Sequence, residues 1–227
     1  MTWTVVAVPS KKDEDRTSSI ILTPKNDMSL KLNEKILQRF PGQEVEFLSC
    51  DRALCDSDEE GQNYPLEFLN SITPTGMPPH RLHLKEGCTV MLLRNLCSKH
   101  GLCNGVRLQV LHIHSSILHC KILTGSHTGH EVLIPKLKLA PSDVNLPFTL
   151  QRTQFPIRLA YSMTINKSQG QTFDHVGICL EEDVFSHGQL YVAFSRARTL
   201  AGVKVSILDT DPEKKTVTKN VVFKEIL

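Results

Sequence analysis

Residues 160–180, "AYSMTINKSQGQTFDHVGICL", set an asparagine, a lysine, a serine, two glutamines and a glycine between two apolar runs. Residues 160–169 read as a helix ending at Gly170, because glycine is free to take the left-handed conformation of a helix C-terminus. "HVGICL" after it reads as a strand. The polar cluster then stands at a helix end above a parallel sheet, where open α/β folds bind ligands. Lys167, Ser168, Gln169 and Thr172 offer donors suited to phosphate or sugar oxygens.

Working outward, "SHGQLYVAFSRAR" puts Leu190, Ala193, Phe194 and Ala197 at i, i+3, i+4 and i+7, an amphipathic helix capped by Ser186. Gln189, Val192 and Arg196 share its other face by the same spacing, so Gln189 and Arg196 are expected to project away from the apolar stripe. "GVKVSIL" reads as the following strand. Near the start, "SSIILTPKND" reads as a buried strand ending in a turn. A helix follows, capped by Asn26 or Asp27, with Leu32, Ile36, Leu37 and Phe40 at helical spacing and Pro41-Gly42 as its stop. "VEFLSC" reads as another strand and the acid-rich "DRALCDSDEEGQN" as a solvated loop.

Between these α/β parts the texture changes. From Arg81 to Leu139, "LHLKEG", "CTVMLLRN", "NGVRLQVLHIH", "ILHCKIL" and "HEVLIP" are short β-type runs separated by turn residues, with no helical period. Such spacing suggests a small antiparallel barrel or sandwich. The expected organisation is therefore an α/β domain made of residues 20–80 and 146–227, a β module at 81–145 inserted into it, and a separate segment at 1–19.

Composition narrows the setting. The 227 residues, 40% of them hydrophobic, are enough for a real core. No apolar run nears the roughly 18 residues that span a bilayer, and the N-terminus has no signal-peptide pattern, so an intracellular, nuclear protein without a membrane is expected. Seven irregularly spaced cysteines suit reduced core thiols better than a disulfide framework. Cys97-x-x-His100-x-x-Cys103, with His112, His114 and Cys120 beyond, lacks the paired Cys-x-x-Cys of structural zinc sites, and no metal is expected. His112 and His114 alternate with Leu111 and Ile113 as outward positions on a half-buried strand do. The net charge of +2 announces no nucleic-acid binder, so any electrostatic footprint is local. Arg81, Lys85, Arg94, Lys99 and Arg107 face only Glu86 in their stretch, which fits either a solvated face or a patch that contacts phosphates.

Taken together the motifs are recognisable. "AYSMTINKSQGQTFDHVGI" resembles motif V of the superfamily-one DNA helicases and "GQLYVAFSRAR" resembles their motif VI. With "ILTPKND", "YPLEFLNSITPTGMPPHRLHLKEGCTVMLLRNL", "GLCNGVRLQV" and "LPFTLQRTQFPIRL", the chain from about residue 20 to 208 resembles the petite-integration-frequency (Pif) helicase family, in its Helitron-transposon branch. Asn166 stands where many of that family have histidine.

The resemblance implies a fold and roles. In such helicases two RecA-like domains clamp ATP between them, and a small Src-homology-like β-barrel is inserted into the second. This chain is similar to that second domain with its insert. Arg196 would be the arginine finger, with Gln189 beside it. Lys167, Ser168, Gln169, Gly170 and Thr172 would couple the nucleotide cleft to single-stranded DNA. ATP and Mg²⁺ would bind only in a complete helicase, with a first RecA-like domain from a longer product or another chain. None of the twelve glycines precedes a lysine, so the Gly-Lys-Ser/Thr phosphate loop is missing and no cofactor is expected for the chain alone. The alternative is a non-enzymatic, transposon-derived remnant or a module that binds single-stranded nucleic acid.

Overall fold

The computed structural model describes residues 18–54, 64–141, 147–207, 218 and 220–222. In chain order the strands are β1 (Ser19–Thr23), β2 (Val45–Leu48), β3 (Cys50–Leu54), β4 (Arg81–Leu84), β5 (Thr89–Leu92), β6 (Arg107–Ile113), β7 (Ile117–Ile122), β8 (Glu131–Pro135), β9 (Leu137–Leu139), β10 (Thr149–Gln154), β11 (Ile157–Leu159), β12 (Ser162–Thr164), β13 (His175–Leu180) and β14 (Val203–Ile207). The α-helices are α1 (Asn26–Arg39), α2 (Leu66–Ser71) and α3 (Gln189–Phe194). The described residues fall into two compact units, one within 1–39 and 160–227, the other within 40–159.

The first unit is α/β. Its sheet has the order β12-β1-β13-β14, and all three pairings are parallel. The inner strands read as near-continuous apolar runs because both faces of such a sheet are covered. In β1, Ile20, Leu22 and Thr23 are buried, and in β13, Val176, Ile178, Cys179 and Leu180 are. Helix α1 turns Ser29, Asn33, Ile36 and Leu37 inward, an i, i+4, i+7, i+8 stripe. It begins at Asn26, so Asn26 and Asp27 lie in its first turn.

Two sequence expectations in this unit are corrected. Residues 160–169 form no α-helix: Ser162–Thr164 is a strand and Ile165–Ser168 a single 3₁₀ turn. The alternation of "YSMT" allows pairing with β1, which takes the backbone groups a helix would have used. Gly170 is left-handed all the same, at φ +81°. Helix α3 is also shorter than the pattern suggests. It ends at Phe194, and Gly188 rather than the Ser186 side chain precedes it. The 3.6-residue arithmetic therefore stops before Arg196.

The second unit is built from antiparallel strands, as the period-2 texture of residues 81–139 predicts. Its sheets have the orders β11-β5-β6-β7-β8, β3-β10-β9 and β2-β4. "VEFLSC" becomes two strands because the chain breaks at Ser49, whose hydroxyl bonds Asp51 (2.6 Å) and His80 (2.8 Å). Residues 40–54, 64–80 and 147–159 pack with these sheets, so the described β-rich unit is larger than residues 81–145. Residues 51–54 of the expected acidic loop lie in β3, while its remainder, 55–63, and most of the separate segment 1–19 lie outside the described residues. The core runs through Leu82, Leu84, Val90, Leu92, Leu108, Val110, Leu118, Ile122, Ile134 and Ile157. Among the described residues, no helix is long and apolar enough to cross a membrane.

One ion pair crosses this core. Arg152 on β10 faces Asp51 on β3, both side chains fully enclosed. Its Nε and Nη2 grip both carboxylate oxygens at 2.6–3.1 Å, and its remaining donors reach the carbonyls of Leu69, Ile72 and Pro78. A buried charge is tolerable only when paired and hydrogen-bonded in this way.

Candidate nucleotide and nucleic-acid interface

The parallel pairing of β1, β12 and β13 puts the segments that follow these strands at one edge of the sheet. After β12 comes the polar cluster at 165–172, after β1 the turn with Lys25, and after β13 the segment leading into α3. Lys25 pairs with Glu182 across this edge, and the hydrogen bond with that carboxylate holds its ammonium above its ordinary pKa.

Three anchors fix the cluster. The first, not foreseen from sequence, is Asn33 of α1. Its Oδ1 accepts from the amides of Tyr161 (2.9 Å) and Ser162 (2.8 Å), while its Nδ2 donates to the Ser162 carbonyl (3.0 Å). The only signal was an asparagine inside an apolar helical stripe. The second is Ser168, fully buried, whose hydroxyl donates to the Ile165 carbonyl (2.6 Å) and closes the 3₁₀ turn. The third is Gln189, which is buried rather than outward: its Oε1 accepts from the Phe185 amide and its Nε2 lies 3.4 Å from Asn166 Oδ1. As the first residue of a short helix, it turns into the loop that precedes it.

Asn166, Lys167, Gln169, Gly170 and Thr172 are exposed around these anchors. Of the five residues expected to couple nucleotide to DNA, Lys167, Gln169, Gly170 and Thr172 therefore present a surface, while Ser168 is spent on the turn.

Arg196 lies past the end of α3, half-buried. Its Nε donates to the Val192 carbonyl (3.0 Å), Nη1 to the Gln171 carbonyl (3.0 Å) and Nη2 to the Ser195 hydroxyl (2.9 Å). The backbone repeats the link. The Phe173 amide donates to the Arg196 carbonyl (2.8 Å), the Arg198 amide donates to the Phe173 carbonyl (3.0 Å), and Arg198 pairs with Asp174 at 3.2 Å. The 165–174 segment and the 189–198 segment are thus stitched together at both ends of α3.

The basic stretch of the second unit divides. Arg81 is exposed and paired with Glu46 at 3.1 Å, Lys99 is exposed on the 3₁₀ turn Ser98–His100, and Arg94 donates to the Ala140 carbonyl. Lys85 and Arg107 do not belong to a surface patch. Lys85 is buried, its ammonium on the Phe40 carbonyl at 2.9 Å, and Arg107 is wholly enclosed. Lys85 follows the end of β4 and is held inside by the Phe40 carbonyl, and Arg107 opens β6 beside the buried Leu108, so neither burial follows from strand alternation or from a count of charges. Among the described residues, no group of three His, Cys, Asp or Glu side chains is arranged to hold a metal ion.

Known proteins match both units. Residues 67–113 fit the model for the 2B domain of the DNA helicase Pif1, and residues 159–203 fit that for the UvrD-like helicase C-terminal domain. The chain is 33% identical over 195 residues to the ATP-dependent DNA helicase PIF1 of Xenopus laevis and 37% identical over 195 residues to that of Rattus norvegicus, each match taking in 85% of this chain. It spans only 28% and 27% of their lengths. The crystal structure of Pif1 helicase from Candida albicans superposes with a TM-score of 0.64 at 25% identity, covering 85% of this chain and 48% of that one. Bacteroides Pif1 bound to single-stranded DNA gives 0.60 at 26% identity, covering 82% and 40%.

Proposed function

We propose, given that this chain is homologous to the C-terminal part of the Pif1-type DNA helicases, that it is the portion of an ATP-dependent helicase that senses ATP and tracks single-stranded DNA. The observation that carries this reading is the double stitch between the 165–174 and 189–198 segments. A displacement of Arg196 by nucleotide is passed through Gln171 and Phe173 to the exposed Lys167, Gln169, Gly170 and Thr172. Lysine and hydroxyl donors of that kind hold a strand by its phosphates without reading bases.

In this reading Arg196 acts as an arginine finger. Its guanidinium is held by three acceptors, and exchange of some of them for phosphate oxygens is what would move the Gln171 carbonyl it grips. ATP and Mg²⁺ bind through a first RecA-like domain, the β-rich unit contains the Src-homology-like barrel, and the Helitron branch and a nuclear setting complete the assignment. A non-enzymatic strand-binding module is the second reading, supported by the exposed Lys167 and Thr172, whose donors suit phosphate contact without a nucleotide.

Fusing the chain behind the N-terminal motor portion of a PIF1 relative tests the first reading. DNA-stimulated ATP hydrolysis should fall about 10³-fold or more in Arg196→Ala, the loss expected for a finger. The chain without that portion should hydrolyse no ATP. An active fusion whose Arg196→Ala variant keeps its rate within tenfold would sink the finger role.

A further inference from the structure

The end of α3 leaves a carbonyl for side chains to use. The Ser195 amide still reaches back four residues to the Tyr191 carbonyl (2.9 Å), but the Arg196 amide turns to the Ala193 carbonyl (3.3 Å). The last carbonyls of a helix lack amide partners of their own, and side chains can take that place. At Val192 two of them do. Ser195 Oγ donates to the Val192 carbonyl (3.0 Å), and Arg196 Nε donates to the same oxygen (3.0 Å). Arg196 Nη2 then donates to Ser195 Oγ (2.9 Å), which closes a ring of three hydrogen bonds along the Nε/Nη2 edge of the guanidinium.

The ring fixes direction as well as distance. A serine hydroxyl has one hydrogen and two lone pairs, and here the hydrogen is committed to Val192, so a lone pair is left to meet Nη2. The guanidinium is thus held in two different ways. Its Nε/Nη2 edge is tied to residues one and four positions back on its own helix end, while Nη1 reaches across to the Gln171 carbonyl in the 165–174 segment (3.0 Å). The first tie is local and survives any movement of the second.

We propose that Ser195 is a positioning residue for Arg196. Its hydroxyl keeps the Nε/Nη2 edge against the end of α3 while Nη1 exchanges the Gln171 carbonyl for a phosphate oxygen, so the guanidinium turns about a fixed edge instead of swinging free. The proposal rests on the finger reading given above and adds the residue that aims the finger. Alanine at this position leaves Nη2 without its acceptor. A misplacement of about 1 Å can cost on the order of 10² in rate.

Two measurements test it. In the full chain, the Arg196 Nη nitrogens should give separate NMR signals, because the bond to Ser195 slows rotation about Cζ–Nη2, and Ser195→Ala should merge them. Wild-type signals that are already merged would overturn the proposal. In the fusion described above, Ser195→Ala should lower the turnover number for ATP about 10- to 100-fold with KM within about threefold, the pattern of an interaction lost in the transition state. Ser195→Thr should recover the rate to within about threefold, since a threonine hydroxyl at a helix end can bond the carbonyl three residues back. With Arg196→Ala already present, Ser195→Ala should change the rate less than about twofold, because a residue that acts only through Arg196 has nothing left to position. Equal losses with and without Arg196 would mark a merely structural serine and sink the proposal. Turnover unchanged in Ser195→Ala while Arg196→Ala is crippled would sink it too, with the finger reading intact. An Arg196→Ala fusion that keeps its rate would remove both.

Discussion

Asn33 shows how one side chain decides where a functional segment lies. The chain enters the 160–172 segment through Tyr161 and Ser162, and three backbone groups there are satisfied by a single carboxamide on α1. A carboxamide suits this task because it accepts and donates at once, which neither aspartate nor leucine can do. Removing it strands buried donors and an acceptor, each worth about 1–3 kcal/mol when left unmade. Asn33→Ala should therefore lower the unfolding free energy by roughly 2–4 kcal/mol, read from the urea midpoint at unchanged slope. A loss below about 0.5 kcal/mol, the range of ordinary surface substitutions, would mean that water replaces the carboxamide.

At the scale of elements, Arg152 does for the β-rich unit what Asn33 does for the α/β unit. It ties β10 to β3 through Asp51 and holds α2 and the following turn through the carbonyls of Leu69, Ile72 and Pro78. Arg152→Met should destabilise the chain by about 3–5 kcal/mol, the cost of leaving a buried partner uncompensated, whereas the double change Arg152→Met with Asp51→Leu should recover much of that loss. A double variant no better than the single one would show that the three carbonyls, rather than the ion pair, dominate. Such ties are where sequence reading stops. The strands of 81–139 and α1 were legible, because period-2 alternation and a stripe at i, i+4, i+7 are properties of neighbouring residues. Motif order is what put Arg196 and Lys167 forward as candidate site residues. What was not legible depends on distant partners. Residues 162–164 became a strand because β1 was there to pair with them, Gln189 turned inward because Asn166 and the Phe185 amide met it, Lys85 left the surface because the Phe40 carbonyl takes its ammonium, and Arg107 is enclosed by the fold around it.

Across the whole molecule, buried thiols make stability sensitive to alkali in both units. Cys88 and Cys120 both lie in the core of the β-rich unit, and burial pushes each thiol up to about 12 from a value of 9.0 in a free chain. Cys88 adds a smaller push on Cys120, because two thiolates in one core repel. The sign follows from which state holds the proton. Below pH 9 both states keep their thiols protonated and nothing is lost. Between pH 9 and about 12 the unfolded chain ionises while the folded chain does not, so stability falls as pH rises. Each thiol contributes a slope of roughly 1.4 kcal/mol per pH unit in that window. Cys179 in the α/β unit is also raised, chiefly by burial, and adds in the same direction. Urea unfolding of wild type and of Cys88→Ala with Cys120→Ala, compared at pH 8 and pH 10.5, isolates the effect from other alkaline titrations. The double variant begins less stable, since two buried side chains are trimmed, but the gap to wild type should narrow as pH rises. A gap that stays constant across that range would show that these thiols ionise as readily in the folded core as in the open chain.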